Sequence, residues 1–284
     1  MEPVLATAVV STVTGVVVAV VVARAPVLDP TTPRLSMRFL RREVRLHPRL
    51  ARILTRRLDP ARWTGLLLTG ALGALVLASA AIGILLLMVY EAAGLARSDM
   101  PLAQWAAERA TTTSTDVLRT VSTLGGTAGV FIVAAVVAAV VLRRDRSTAV
   151  IPLLAVTVGG QFALVALVKA IVARARPELL PLSGFAGASF PSGHAAAAAA
   201  TYACAALLLG RGRSRSSKIV LGFVAGAVAA AVAATRVLLG VHWFTDVLAG
   251  TALGWGWFAL CSVAFGGRAL RFGRPVAAAA DITA

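Results

Sequence analysis

Polar residues are spaced along this chain so that seven long apolar runs stand between them, at 4–22, 64–90, 124–142, 149–172, 195–209, 219–239 and 244–265. Each approaches the roughly 20 residues that a helix needs to cross the hydrocarbon core of a bilayer. The third reaches that length only with Gly125 and Gly126, and the fifth only by starting at Pro191 or Ser192. The pattern predicts an all-α, polytopic transmembrane helix bundle. A six-helix core is expected over 63–266. An extra N-terminal span and a basic segment occupy 1–62, and a basic tail 267–284.

Composition agrees: 58% of the 284 residues are hydrophobic, against about 45–50% in an ordinary soluble domain. Cys204 and Cys261 both fall inside apolar runs, where they read as small packing residues rather than a disulfide or a metal cluster. The first run resembles a signal peptide only in part. Met1-Glu2-Pro3 lacks the positive start of one, so the run is expected to remain as a span.

The net charge of +16 would suit nucleic acid, but its distribution points to a membrane. The stretch 24–62 holds eleven arginines, and the segments 143–148, 210–218 and 266–284 hold three, four and three basic residues. Alternation through seven spans puts all four segments on one face. They carry 21 of the 28 basic residues and only five of the 12 acidic ones, Asp29, Glu43, Asp59, Asp145 and Asp281. The entire charge excess therefore lies on that face, which the positive-inside rule makes cytoplasmic. The N-terminus is expected outside and the C-terminus inside. The stretch 37–62 interleaves its arginines with Leu40, Val44, Leu50, Ile53, Leu54 and Leu58, as an amphipathic helix on anionic lipid would. Membrane lipid, not nucleic acid, is the expected partner. Having two lysines against many arginines suggests a bacterial cell membrane.

The outer segment 98–122 also looks amphipathic, with Val117, Val121 and Leu124 on one face and Trp105 at an interface position. It reads either as a cover for an outer site or as a connector.

Against this apolar background, three stretches carry residues that are costly near lipid: 169–177 (KAIVARARP), 191–194 (PSGH) and 235–246 (TRVLLGVHWFTD). The topology brings all three to the outer face. Lys169 and Arg176 are two helical turns apart and are expected to share one helix face, where a point charge and a guanidinium fork suit a phosphate. Pro191 and Ser192 read as a helix start with Ser192 as cap. Gly193 would let an anion approach the free N–H groups. His242 and Asp246, at i,i+4, are expected to face each other on a helix, the carboxylate orienting the ring so that its other nitrogen can attack. His194 adds a second group titrating near neutrality. Arg174 reads as a snorkelling residue and His47 as an inert residue of the basic loop. Gly222-x3-Gly226, Gly250-x3-Gly254 and the alanines 195–200 permit close helix packing.

In order and spacing the three stretches resemble the signature of the type 2 phosphatidic acid phosphatase (PAP2) family of membrane lipid phosphatases, K-x6-RP, PSGH and SR-x5-H-x3-D. The counterparts are Lys169-x6-Arg176-Pro177, Pro191-Ser192-Gly193-His194 and Thr235-Arg236-x5-His242-x3-Asp246. Thr235 replaces the usual serine and keeps the hydroxyl. The resemblance covers about 65–265, the six-span core. It implies that His242 is a nucleophile forming a phosphohistidine, that Asp246 orients it, and that His194 is the acid and then the base. Lys169, Arg176, Ser192, Gly193 and Arg236 would hold the phosphate oxygens. It implies no metal or other cofactor, the fixed cations standing in for Mg²⁺.

The expected substrate is a lipid phosphate or diphosphate, an undecaprenyl-type polyprenyl diphosphate first, with phosphatidylglycerol phosphate and phosphatidate as alternatives. A lipid phosphotransferase using the same intermediate stays open. An anion transporter is disfavoured, because transport needs a midplane site with alternating access and these residues cluster at one end. Relatives of the haloperoxidase type are soluble, unlike this chain.

Overall fold

The computed structural model describes residues 2–24, 64–179 and 187–266, so the basic loop with His47 and the C-terminal tail lie outside the described residues. All regular elements among the described residues are helical. They are α1 (Glu2–Arg24), α2 (Thr64–Tyr90), a 3₁₀ turn (Gly94–Ser98), α3 (Asp99–Glu108), α4 (Thr112–Thr123), α5 (Thr127–Asp145), α6 (Val150–Val172), α7 (Gly193–Gly210), α8 (Arg215–Leu238) and α9 (Phe244–Gly266). The seven predicted runs are thus each helical. Five helices, Pro3–Ala23, Thr127–Asp145, Val150–Val172, Gly193–Gly210 and Arg215–Leu238, are long and apolar enough to span by themselves. Leu75–Tyr90 and Gly94–Glu108 pass the same test only as a pair bent by 57°, a broken span or a re-entrant loop. Side chains such as Val13 and Val17 on α1, Ile132 on α5 and Ile171 on α6 project outward. An apolar exterior of this kind belongs in lipid.

Helix α7 is the axis. Its alanines 195–200 are buried, and α5, α6, α8 and α9 pack around it. Small residues permit this crowding. A Cβ on Gly250 would stand 2.3 Å from the Ser192 carbonyl oxygen, and one on Gly254 2.3 Å from that of Ala196, so α9 lies backbone to backbone on α7. On the other side, Gly222 and Gly226 of α8 receive Val22 and Val18 of α1. Ser11 also donates to the Ala227 carbonyl at 2.7 Å. Between α5, α6, α7 and α9, Val141, Leu153, Leu208 and both cysteines form the main apolar cluster. The cysteines are free and buried.

The segment 98–123 forms two short helices, α3 and α4, packed against the bundle. Thr111 and Ser114 form a reciprocal capping box that starts α4. The face turned inward is Ser114, Thr115, Leu118 and Ser122, with Leu118 against Leu238, Leu239 and Val241. Of the apolar residues expected to share one face, Val117 and Leu124 are exposed. Hydrophobic periodicity points to the core only where water lies outside. Beside a membrane an apolar stripe can equally face lipid.

Candidate active site

The C-terminal ends of α6 and α8 and the N-terminal ends of α7 and α9 meet at one end of the bundle, together with residues 173–179, 187–192 and 239–243. Helix α6 stops because Ala173 turns left-handed (φ 48°) and its N–H returns to the Lys169 carbonyl at 3.0 Å. Pro177 then favours an extended Arg176. Lys169 and Arg176 therefore do not share a helix face, as the spacing predicted. They converge from helix and loop instead, and both donate to the Ala188 carbonyl, Arg176 at 3.3 Å. Arg176 is held further by the Gly187 carbonyl at 2.9 Å and that of Val241 at 2.7 Å.

Past α8 the chain turns at Gly240 (φ 64°). The N–H groups of Val241 and His242 both return to the Arg236 carbonyl, at 3.2 and 3.1 Å. His242 consequently lies in the turn, before α9 begins at Phe244, and the predicted pairing with Asp246 on one helix is corrected. The two still meet, because Asp246 in the first turn of α9 reaches back. Its Oδ2 accepts the Trp243 N–H at 3.0 Å and stands 3.5 Å from His242 Nδ1. That is longer than an ordinary hydrogen bond. On the ring's other side, Arg176 Nη1 lies 3.3 Å from Nε2. A guanidinium can only donate, so Nε2 carries the lone pair and the ring proton sits on Nδ1, toward Asp246. Burial pushes the His242 imidazole down to about 4, with Asp246 opposing the shift and Arg176 and Arg236 adding to it.

Ser192 occupies the N-cap of α7 but makes no side-chain cap bond, so the predicted capping role is corrected. Its hydroxyl is fully buried without a hydrogen-bond partner, while its N–H donates to the Asp246 carbonyl at 2.9 Å. A buried polar group in that condition is uncommon and calls for a reason. Gly193 opens α7, and a Cβ there would make only ordinary contact, with Val165 at 3.6 Å; packing does not demand glycine. The His194 ring faces the turn before α5, 3.6 Å from where a Cβ on Gly126 would stand. The charges that act on it are those of Arg236, His242, Arg176 and Lys169. Arg236 is 3% exposed and donates to Ser122 of α4 at 2.6 Å. Thr235 points away, its hydroxyl bonded to the Val232 carbonyl at 2.6 Å. All eight sequence-predicted site residues, Lys169, Arg176, Ser192, Gly193, His194, Arg236, His242 and Asp246, thus belong to one end of the bundle.

Arg174 does not snorkel. Its Nη1 binds Asp246 Oδ1 at 2.6 Å and Thr245 Oγ1 at 2.8 Å, and its Nη2 binds Asp99 Oδ2 at 2.7 Å. The guanidinium also stands 5.4 Å from the centre of the Trp243 ring. Sequence reasoning missed Arg174, Asp99, Thr245 and Ser122. The one available hint was that Arg174 lies two residues before Arg176.

A multi-span helical bundle with a histidine–carboxylate pair beside clustered cations at one end defines the class, a helical membrane protein. Residues 148–269 match the family model of the PAP2 superfamily. Among characterised proteins it is similar to phosphatidylglycerophosphatase B of Bacillus subtilis, 42% identical over 89 residues, covering 30% of this chain and 43% of the relative. It is also similar to lipid A 1-phosphatase of Rhizobium etli, 39% identical over 104 residues, covering 33% and 40%. These matches span about two-fifths of the relatives' length. The fold is similar to the crystal structure of a transmembrane PAP2-type phosphatidylglycerolphosphate phosphatase from Bacillus subtilis, with a TM-score of 0.61 and 25% identity, covering 68% of this chain and 94% of that one.

Proposed function

We propose that this protein is a membrane lipid phosphatase that removes a terminal phosphate from an amphiphilic substrate through a phosphohistidine. The observation that carries the reading is the setting of His242: a buried imidazole whose Nε2 lone pair faces Arg176 at 3.3 Å, with Asp246 behind it. His242 Nε2 attacks phosphorus as the bond to the leaving oxygen breaks, and His194 gives that oxygen a proton. Water then gives His194 a proton, and its oxygen displaces Nε2 to release phosphate. Lys169, Arg176 and Arg236 hold the equatorial oxygens as charge spreads onto them. Ser192 Oγ supplies a donor with no other partner, and Gly193 lets the phosphate approach the start of α7.

Several features support a lipid substrate. The site sits at one end of an apolar bundle, and two of the similar proteins are phosphatases named for lipids. Phosphatidylglycerol phosphate is the favoured substrate on those names, ahead of the polyprenyl diphosphate that the sequence alone suggested. The charge distribution supports an outer-facing site in a cell membrane, with the N-terminus outside, and a six-helix catalytic unit from 63 to 266 to which α1 is an addition.

Phosphate release by purified protein from phosphatidylglycerol phosphate, phosphatidate and a polyprenyl diphosphate tests this. Wild-type protein should be most active on the first, and His242→Ala should lose at least about 10²-fold. No release from any of the three, or undiminished release by the variant, overturns the proposal.

A further inference from the structure

Two carboxylates share one guanidinium behind His242. Arg174 Nη1 binds Asp246 at 2.6 Å and its Nη2 binds Asp99 at 2.7 Å. Thr245 closes the ring: its N–H donates to Asp99 Oδ1 at 2.9 Å and its hydroxyl to Asp99 Oδ2 at 2.6 Å. The group is withdrawn from solvent, with side-chain exposures of 17% for Arg174, 6% for Asp99 and 0% for Asp246. Asp99 is the first residue of α3 and lies outside the matched segment 148–269.

The charge balance gives this arrangement its meaning. An arginine in direct contact with Asp246 opposes what that carboxylate does for His242, since attack on phosphorus leaves the imidazole ring positive. Arg174 and Asp246 alone sum to zero, so the guanidinium offsets part of the field that the carboxylate, 3.5 Å from Nδ1, exerts at the ring. Asp99 restores one net negative charge to the group. The other ionisable groups acting on His242 are Arg176 from residues 173–179 and Arg236 from α8. His194 and Lys169 stand in the same cluster. Among the described residues, the carboxylate acting on the ring is Asp246, and Asp99 is joined to it through Arg174.

We propose that Asp99 and Arg174 are positioning residues for the phosphoryl-transfer step. Arg174 fixes the orientation of Asp246, and Asp99 neutralises Arg174 so that Asp246 still acts on His242 as an anion. The outer helix α3 thereby completes the site from a distance of 146 residues in sequence from Thr245. The inference rests on the proposed phosphatase reading and deepens it.

Charge parity provides the test. Wild type has a net charge of minus one in this group, Asp99→Asn zero, Arg174→Gln minus two, and the double variant minus one again. Initial rates of phosphate release from phosphatidylglycerol phosphate by full-length protein in nanodiscs would be compared across the four. Asp99→Asn should lower kcat by about tenfold or more with KM within about twofold. The double variant should recover at least part of that loss, a non-additivity that separates coupling from general damage. A folded Asp99→Asn protein with wild-type kcat overturns the proposal. So does a double variant slower than Asp99→Asn, which marks the ring as a structural staple only. If Arg174→Gln does not accumulate, Asp99→Asn against the double variant still decides, and Asp99→Glu should keep more activity than Asp99→Asn. A wild-type protein that releases no phosphate from any lipid phosphate sinks the phosphatase reading itself; wild-type activity with an indifferent Asp99→Asn sinks this inference alone.

Discussion

Arg176 Nη1 stands 3.3 Å from the Nε2 of His242, so the proposed nucleophile and the principal proposed phosphate ligand are in contact before substrate arrives. Three carbonyls, of Gly187, Ala188 and Val241, hold the guanidinium in that place. Lysine can reproduce the charge but not the fork. Arg176→Lys should therefore lower kcat/KM for a lipid phosphate by about 10²-fold or more, in the range of losing one preorganised donor. Initial-rate measurements across substrate concentration check this, and a loss under about threefold would remove Arg176 from the phosphate cradle.

The pH dependence follows from the buried imidazole. Burial holds His242 down at about 4 against an ordinary 6.5. The lone pair is lost only when the ring protonates, so kcat/KM should stay supported by a neutral His242 well below pH 6 and fall on an acid limb nearer 4 than 6.5. Stability carries the same sign. Between those two values the unfolded chain binds the proton and the folded chain does not, so acidification through this window weakens the fold, and stability returns as pH rises above 6.5. A kcat/KM profile from pH 3.5 to 8 with a soluble phosphate ester reads the limb. One centred at or above 6.5 would contradict the role assigned to a neutral His242.

Ser192 separates stabilising from functional polarity. Its hydroxyl is fully buried and bonded to nothing, so the resting fold gains little from it, and removing an unsatisfied polar group costs little or helps. Ser192→Ala should leave the thermal unfolding midpoint unchanged or slightly raised while lowering kcat/KM by about tenfold. A clear fall in the midpoint with unaltered kinetics would show that the hydroxyl serves the fold.

The helices and the three polar stretches were legible because each rests on a strong local signal. A bilayer forces long apolar runs, and cations, histidines and Asp246 stand out against them. What was not legible depended on contacts distant in sequence. Nothing near Asp99 marks it as a partner of Arg174 and Thr245, and a paired arginine near a membrane surface has the same sequence environment as a snorkelling one. His242 and Asp246 were correctly brought together but for the wrong local reason, because the helix was extended through a turn that Gly240 and the Arg236 carbonyl stabilise. Which face of α4 turns inward was not legible either, because Val117 and Leu124 face outward.

Gly250 links packing to chemistry. A Cβ there would stand 2.3 Å from the Ser192 carbonyl oxygen and 3.1 Å from the Ser192 nitrogen, and that N–H is already bonded to the Asp246 carbonyl at 2.9 Å. The obstacle is backbone on both sides, so a methyl group can be accommodated only by moving α7 away from α9. That movement would carry Ser192, Gly193 and His194 away from Asp246. Gly250→Ala should destabilise the protein by about 1–3 kcal/mol, the usual range for overpacking, and lower kcat/KM together with the unfolding midpoint. Gly73, whose Cβ position is open, is the matched control: Gly73→Ala should change neither. Equal behaviour of the two alanine variants would mean that close contact of α7 and α9 does not hold the site together.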